Sequence, residues 1–250
     1  MGTDKAIIAA NWKMNLGRDE ALTLAGQCEQ LADSEPNAEI RLFPGFLALR
    51  EIQHVAQDGP LRVGAQNCHC EESGAFTGEV SPAQLVDAGV KHVLIGHSER
   101  RHTFGESDEL IARKLCLATQ LGLHVTLCVG ETLEERDGGK ESEVISLQLS
   151  GLKGVSGLID IAYEPVWAIG TGKTATPDQA QEMHSFIWDE LKQYGEHSNA
   201  AILYGGSVKP ANCKALAEQE NVQGFLVGGA SLNIEDFRSI VELSTPVLVA

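Results

Sequence analysis

Glu164 stands immediately ahead of a proline and a glycine-rich segment, Pro165-Val166-Trp167-Ala168-Ile169-Gly170-Thr171-Gly172-Lys173. A carboxylate in this position can act as a base on a substrate that the following segment covers. Pro165 stiffens one end of that segment, Val166 to Ile169 form an apolar tip, and the glycines relax the other end. An apolar tip that closes excludes water from a charged intermediate. Gly172-Lys173-Thr174 also invites a nucleotide reading. The Walker pattern, however, needs a glycine five residues before Gly172, and Trp167 is there. The dinucleotide pattern fails as well, because the next helix begins only after Thr176-Pro177 rather than at the glycines.

Two further turns, Gly205-Gly206-Ser207 and Gly228-Gly229, end apolar runs. One such pair is an ordinary tight turn. Two of them beside a lid favour a phosphate held by backbone N–H groups, which glycine lets approach closely. His97 ends another apolar run, and Ser98-Glu99-Arg100-Arg101 reads as the start of a helix. The positive end of that helix is expected to lower the imidazole pKa and keep the ring neutral. Asn11 and Lys13 follow the first apolar run. Cys68-His69-Cys70 offers ligand-type residues, but Cys-x-Cys is tighter than zinc spacing and no second pair follows. Neither a metal nor a cofactor is expected.

The 250 residues carry 19 basic and 35 acidic side chains, a net charge of −16. Such a surface repels nucleic acid and anionic membrane, which excludes both as partners. It also repels a phosphorylated substrate, so a phosphate site must be local, built from backbone N–H groups and one or two cations. No signal peptide is recognisable, and no stretch approaches the ~20 apolar residues of a membrane span. The six cysteines read as free thiols, with Cys28 and Cys116 on apolar helix faces. A cytoplasmic protein is expected.

These residues must be positioned by a regular scaffold. Strand candidates are 6–11, 39–43, 61–66, 92–96, 124–129, 159–163, 201–204 and 224–227, mostly apolar throughout, as parallel strands buried on both faces are. Between them lie helical stripes such as Ala21, Leu24, Ala25, Cys28, Leu31 and Ala32, and Ala180, Met183, Ile187 and Leu191. Ser81-Pro82-Ala83-Gln84 and Thr176-Pro177-Asp178-Gln179 are capping boxes with proline at the first helical position. With no linker or composition shift, the chain reads as one domain over residues 1–250. Eight strand–helix units of about 31 residues suit a (β/α)8 barrel better than an open doubly wound sheet, although periodicity does not decide closure. The chemistry-bearing residues then collect at the C-terminal strand ends, where barrels build their sites.

The segments Ala10-Asn11-Trp12-Lys13-Met14-Asn15, Gly74-Ala75-Phe76-Thr77-Gly78-Glu79 and Ile95-Gly96-His97-Ser98-Glu99-Arg100-Arg101 resemble the triosephosphate isomerase family. So do Cys128-Val129-Gly130-Glu131, Ala162 to Lys173, Tyr204-Gly205-Gly206-Ser207-Val208 and Gly224 to Leu232, in the family's order across nearly the whole chain. The resemblance implies interconversion of glyceraldehyde 3-phosphate and dihydroxyacetone phosphate through an enediol. It implies Glu164 as the base and His97 as a neutral electrophile, a pairing for which this family is the standard example. Lys13 would supply fixed positive charge, Asn11 would orient the substrate, and Glu99 would partner Lys13. The phosphate would rest on Gly170, Ser207, Gly228 and Gly229, while Tyr204 and Ser207 would hold the closed lid. The loop bearing Phe76, Thr77 and Gly78 would enter a second subunit, making a homodimer. The segments 144–157 and 193–199, and Cys68-His69-Cys70, look individual. Rival readings are another phosphate-handling barrel enzyme, a lyase that discards phosphate from the enediol, and a barrel used only as a scaffold.

Overall fold

The computed structural model describes residues 5–168 and 174–249. Strands and helices alternate along them: β1 (Ala6–Asn11), α1 (Arg18–Ser34), β2 (Ala38–Phe43), α2 (Phe46–Val55), β3 (Arg62–Ala65), α3 (Pro82–Asp87), β4 (His92–Ile95), α4 (Ser98–His102) and α5 (Asp108–Gln120). There follow β5 (His124–Val129), α6 (Leu133–Asp137), α7 (Glu141–Leu149), β6 (Ile159–Tyr163), α8 (Pro177–Leu191), β7 (Ile202–Tyr204), α9 (Cys213–Ala217), β8 (Gly224–Val227) and α10 (Ile234–Leu248). The strands form a closed parallel barrel in chain order, β8 pairing back onto β1 through Ile7 opposite Gly224 and Ile8 opposite Phe225. Closure depends on Gly224, where a side-chain carbon would lie 2.1 Å from the Ile7 carbonyl oxygen.

Both faces of the strands are buried, and each face has its own core. Ile8, Ile40, Val63, Val93, Val125, Ile161, Ile202 and Phe225 point outward into the layer shared with the helices. The alternate residues Ile7, Ala9, Phe43, Leu94, Cys128, Ala162, Leu203 and Leu226 fill the barrel interior. This double burial explains the continuous apolar runs in the sequence. The α1 stripe packs as its spacing requires, with Ala21, Leu24, Ala25, Cys28, Leu31 and Ala32 all buried. Both expected capping boxes form: Ser81 Oγ accepts from Gln84 N at 3.2 Å and Thr176 Oγ1 from Gln179 N at 3.2 Å. Each such cap contributes about 1 kcal/mol.

One layer of the interior departs from the apolar pattern. Below the inner core, at the N-terminal strand ends, the barrel encloses Arg41, His92 and Asp160, and His124 stacks against His92 with ring centroids 5.0 Å apart. The six cysteines are unbridged, with Cys116 only partly buried on α5. Among the described residues no helix is long and apolar enough to cross a membrane, and no group of three or more metal-ligating side chains is assembled.

Candidate active site

The C-terminal strand ends open into a cavity of about 780 Å³. Asn11 ends β1, Lys13 follows it, His97 caps α4 after β4, and Glu164 follows β6; all four line this cavity. Ser207, Gly228 and Gly229 line its far side, after β7 and β8. Seven residues scattered over the chain thus converge as expected. Glu99 stands behind them, its Oε1 2.7 Å from Lys13 Nζ.

Glu164 is 2% exposed, and its carboxylate is held at two points. Ser98 N–H donates to Oε2 at 2.9 Å, and His97 Nε2 lies 3.0 Å from Oε1. Burial works against the negative charge, but His97, the Ser98 N–H and Lys13 outweigh it and hold the carboxyl below its ordinary pKa. The carboxyl is therefore held as the carboxylate.

His97 differs from the expectation drawn from the helix end alone. Burial does act to lower its pKa, yet the adjoining Glu164 carboxylate wins and the value is raised. Nothing in the local sequence around His97 shows that the Glu164 carboxylate lies against the imidazole. Even so, one nitrogen is kept free of a proton: Nδ1 accepts the Glu99 N–H at 3.2 Å. That bond directs the ring's proton to Nε2, the atom facing Glu164.

Lys13 has φ of 52°, a left-handed conformation that a lysine adopts only when surroundings enforce it. Asn11 Oδ1 accepts its N–H at 3.0 Å, and Gln66 Nε2 donates to its carbonyl at 2.8 Å and to that of Phe43 at 2.9 Å. Gln66 was not singled out from sequence, although it ends the third strand candidate and so occupies the same kind of position as Asn11. Arg101 was likewise unassigned. Its guanidinium donates to the Gly96 carbonyl at 2.7 Å and the Cys128 carbonyl at 3.1 Å, bracing the backbone behind His97 and Glu164. Lys209 and Asp236 also line the cavity and were not anticipated.

Residues 169–173 lie outside the described residues, and with them the expected roles of Ile169, Gly170, Thr171, Gly172 and Lys173 in the lid and phosphate cradle. The described part of the expected lid segment is hydrogen-bonded to its neighbours. Trp167 Nε1 donates to Glu131 Oε1 at 2.8 Å, where the Tyr163 hydroxyl also donates at 3.1 Å and Arg136 pairs at 3.1 Å. Val166, Trp167 and Ala168 are not among the residues lining the cavity. The half-buried indole N–H thus has the hydrogen-bond partner it needs. In the expected docking loop, Phe76 is exposed and lies on the His69 ring at 4.2 Å, next to Thr77 and Gly78.

The comparisons with known proteins agree with this arrangement. The family model described as triosephosphate isomerase matches residues 6–244. A triosephosphate isomerase of Carboxydothermus hydrogenoformans is 49% identical over 249 residues, covering 95% of this chain and 98% of that protein. Those of Bacteroides fragilis and Geotalea uraniireducens are each 45% identical, covering 95% and 96% of this chain and 98% and 99% of their own. By these matches the chain belongs to the triosephosphate isomerase family.

Proposed function

We propose that this cavity interconverts D-glyceraldehyde 3-phosphate and dihydroxyacetone phosphate through an enediolate, with Glu164 as the base. The observation that carries the assignment of roles is the buried contact of Glu164 with His97, 3.0 Å apart on the cavity wall beside Lys13. Isomerisation leaves the substrate's formula unchanged, so a base and an electrophile suffice. Glu164 leaves the Ser98 N–H and His97 to take the carbon-bound proton, and His97 Nε2–H is thereby freed to donate to the substrate carbonyl. Lys13 neutralises the developing oxyanion, and Asn11 orients the carbonyl. Glu164 returns the proton to the neighbouring carbon while His97 moves protons between the two oxygens. Glu99 holds Lys13, and its Oε2 lies 3.6 Å from His97 Nδ1. The backbone N–H groups of Ser207, Gly228 and Gly229, with Gly170 of the lid, bind the phosphate, and Tyr204 and Ser207 hold the lid closed.

A coupled isomerase assay tests the activity, and release of inorganic phosphate in place of isomer would identify the lyase instead. Glu164→Asp draws the carboxylate back and is expected to lower kcat by roughly 100-fold or more. Near-normal turnover in that variant would remove Glu164 from the role of base.

We also read residues 1–250 as a single domain that works as a homodimer in the cytoplasm, the compartment that the six unbridged cysteines suit. Support for the dimer comes from exposed apolar side chains on the loops and helix starts after β1, β2, β3 and β4: Met14, Leu47, Phe76 and Phe104. Thr77, on the same loop as Phe76, would reach the partner's site. Deleting residues 74–78 is expected to yield weakly active monomers, and an unchanged elution volume on size-exclusion chromatography would refute the assignment.

A further inference from the structure

Gln148 lies on α7, in the segment that looked individual to this chain, and it is a polar residue on a buried helix face beside Ile145 and Leu149. Its side-chain amide meets both backbone groups of one residue across the barrel wall. Oε1 accepts the Gly130 N–H at 2.8 Å and Nε2 donates to the Gly130 carbonyl at 3.1 Å. Donor and acceptor are both spent on a single glycine, and the choice of glycine is forced. A side-chain carbon at Gly130 would lie 1.8 Å from the Glu164 carbonyl oxygen, so the Gly130 and Glu164 backbones are pressed together.

The pinned peptide carries two parts of the site. Glu164 N–H donates to the Val129 carbonyl at 2.7 Å, so the base hangs from the residue just before Gly130. Val166 N–H donates to the Glu131 carbonyl at 3.0 Å, and the Glu131 side chain takes the Trp167 indole, so the root of the lid hangs from the residue just after it. Gln148 touches neither substrate space nor the Glu164 carboxylate. We infer that Gln148 is a positioning residue for the isomerisation, fixing the 129–131 backbone so that the Glu164 carboxylate and the lid root keep one common register.

This rests on the assignment of Glu164 as the base. A carboxylate displaced by part of an ångström loses rate steeply, whereas phosphate binding on the opposite side of the cavity is left alone. The test compares Gln148→Met, which keeps length and loses both hydrogen bonds, with Gln148→Glu, which keeps an acceptor for the Gly130 N–H. For folded Gln148→Met, kcat is expected to fall roughly 10- to 100-fold with KM little changed, and the loss in Gln148→Glu is expected to be smaller. The acid limb of kcat/KM should move to higher pH in Gln148→Met, because a misplaced Glu164 loses the Ser98 N–H and His97 contacts that keep it ionised. A lowered Tm with wild-type kcat and an unmoved acid limb would overturn the inference and leave Gln148 as a packing element. If Gln148→Met does not fold, Gln148→Glu decides by the same two readouts. Should Glu164→Asp keep near-normal turnover, the underlying assignment fails. Should it lose activity while the Gln148 variants do not, only this inference fails.

Discussion

Each end of the barrel holds a histidine against a buried carboxylate, and the two ends put that pair to different use. At the C-terminal end His97 Nε2 and Glu164 Oε1 are 3.0 Å apart on the wall of a cavity of about 780 Å³. At the N-terminal end His124 Nε2 and Asp160 Oδ2 are 2.8 Å apart, and Arg41 closes on the same carboxylate at 2.5 Å. Arg41 is 2% exposed and also binds Glu39 at 2.6 Å, while the Ala201 N–H donates to the other Asp160 oxygen at 3.3 Å. The lower carboxylate is thus saturated by fixed partners, and Arg41 with His124 drives its pKa far down against the cost of burial. The upper one lies on a cavity wall, with His97 and the Ser98 N–H as its partners. Chemistry needs a charged pair whose contacts can be exchanged, and a buried pair with every contact filled is structural. The cations make the same contrast: Lys13 and Glu99 are part-exposed at 26% and 49%, whereas Arg41 and Asp160 are shut in.

The sharpest way to break this contrast is to remove each cation. Arg41→Met leaves the buried Asp160 without its guanidinium partner and should cost about 3–5 kcal/mol of stability in chemical denaturation, with kcat of the folded protein unchanged. Lys13→Met should do the reverse. Its exposed pair contributes under about 1 kcal/mol to stability, while loss of the fixed charge lowers kcat by roughly 100- to 1000-fold in the coupled assay. If the two variants behaved alike, the division between a structural and a catalytic end would fall.

A smaller effect concerns pH. His92 faces Arg41, His124, Asp160 and Arg62 in the lower layer, and burial first, then Arg41, pushes its pKa down to about 2. The unfolded chain takes up that proton below about pH 6.5 and the folded chain does not, so stability falls as pH falls through this window. The slope from this one group reaches about 1.4 kcal/mol per pH unit. Buried His184, held down to about 4, acts in the same direction, and Asp160, with its lowered pKa, adds its own loss below about pH 4. His92→Phe should therefore flatten, but not abolish, the decline in denaturation midpoint between about pH 6 and 4. An unchanged slope would show that His92 is protonated within the fold.

The eight strands, both capping boxes and the α1 and α8 stripes were legible from local pattern, because burial on two faces and helix ends write themselves into neighbouring residues. So were the places of Asn11, Lys13, His97 and Glu164 at the strand ends that open into one cavity, since each ends or follows an apolar run. Three features were not legible. Arg41 within β2, and His92, His124 and Asp160 at strand starts, each look like an isolated polar residue, and only the barrel's closure brings them into one layer. Gln66 and Gln148 act on backbone 53 and 18 residues away, a relation that no spacing rule contains. The raised pKa of His97 depends on Glu164, 67 positions along the chain, and sequence supplied only the helix end beside it. Sequence by itself determined the elements, the residue types at their ends and the family. Tertiary structure decided which of those charges face one another, because electrostatic and hydrogen-bond energies depend on separations of a few ångströms that only the folded barrel sets.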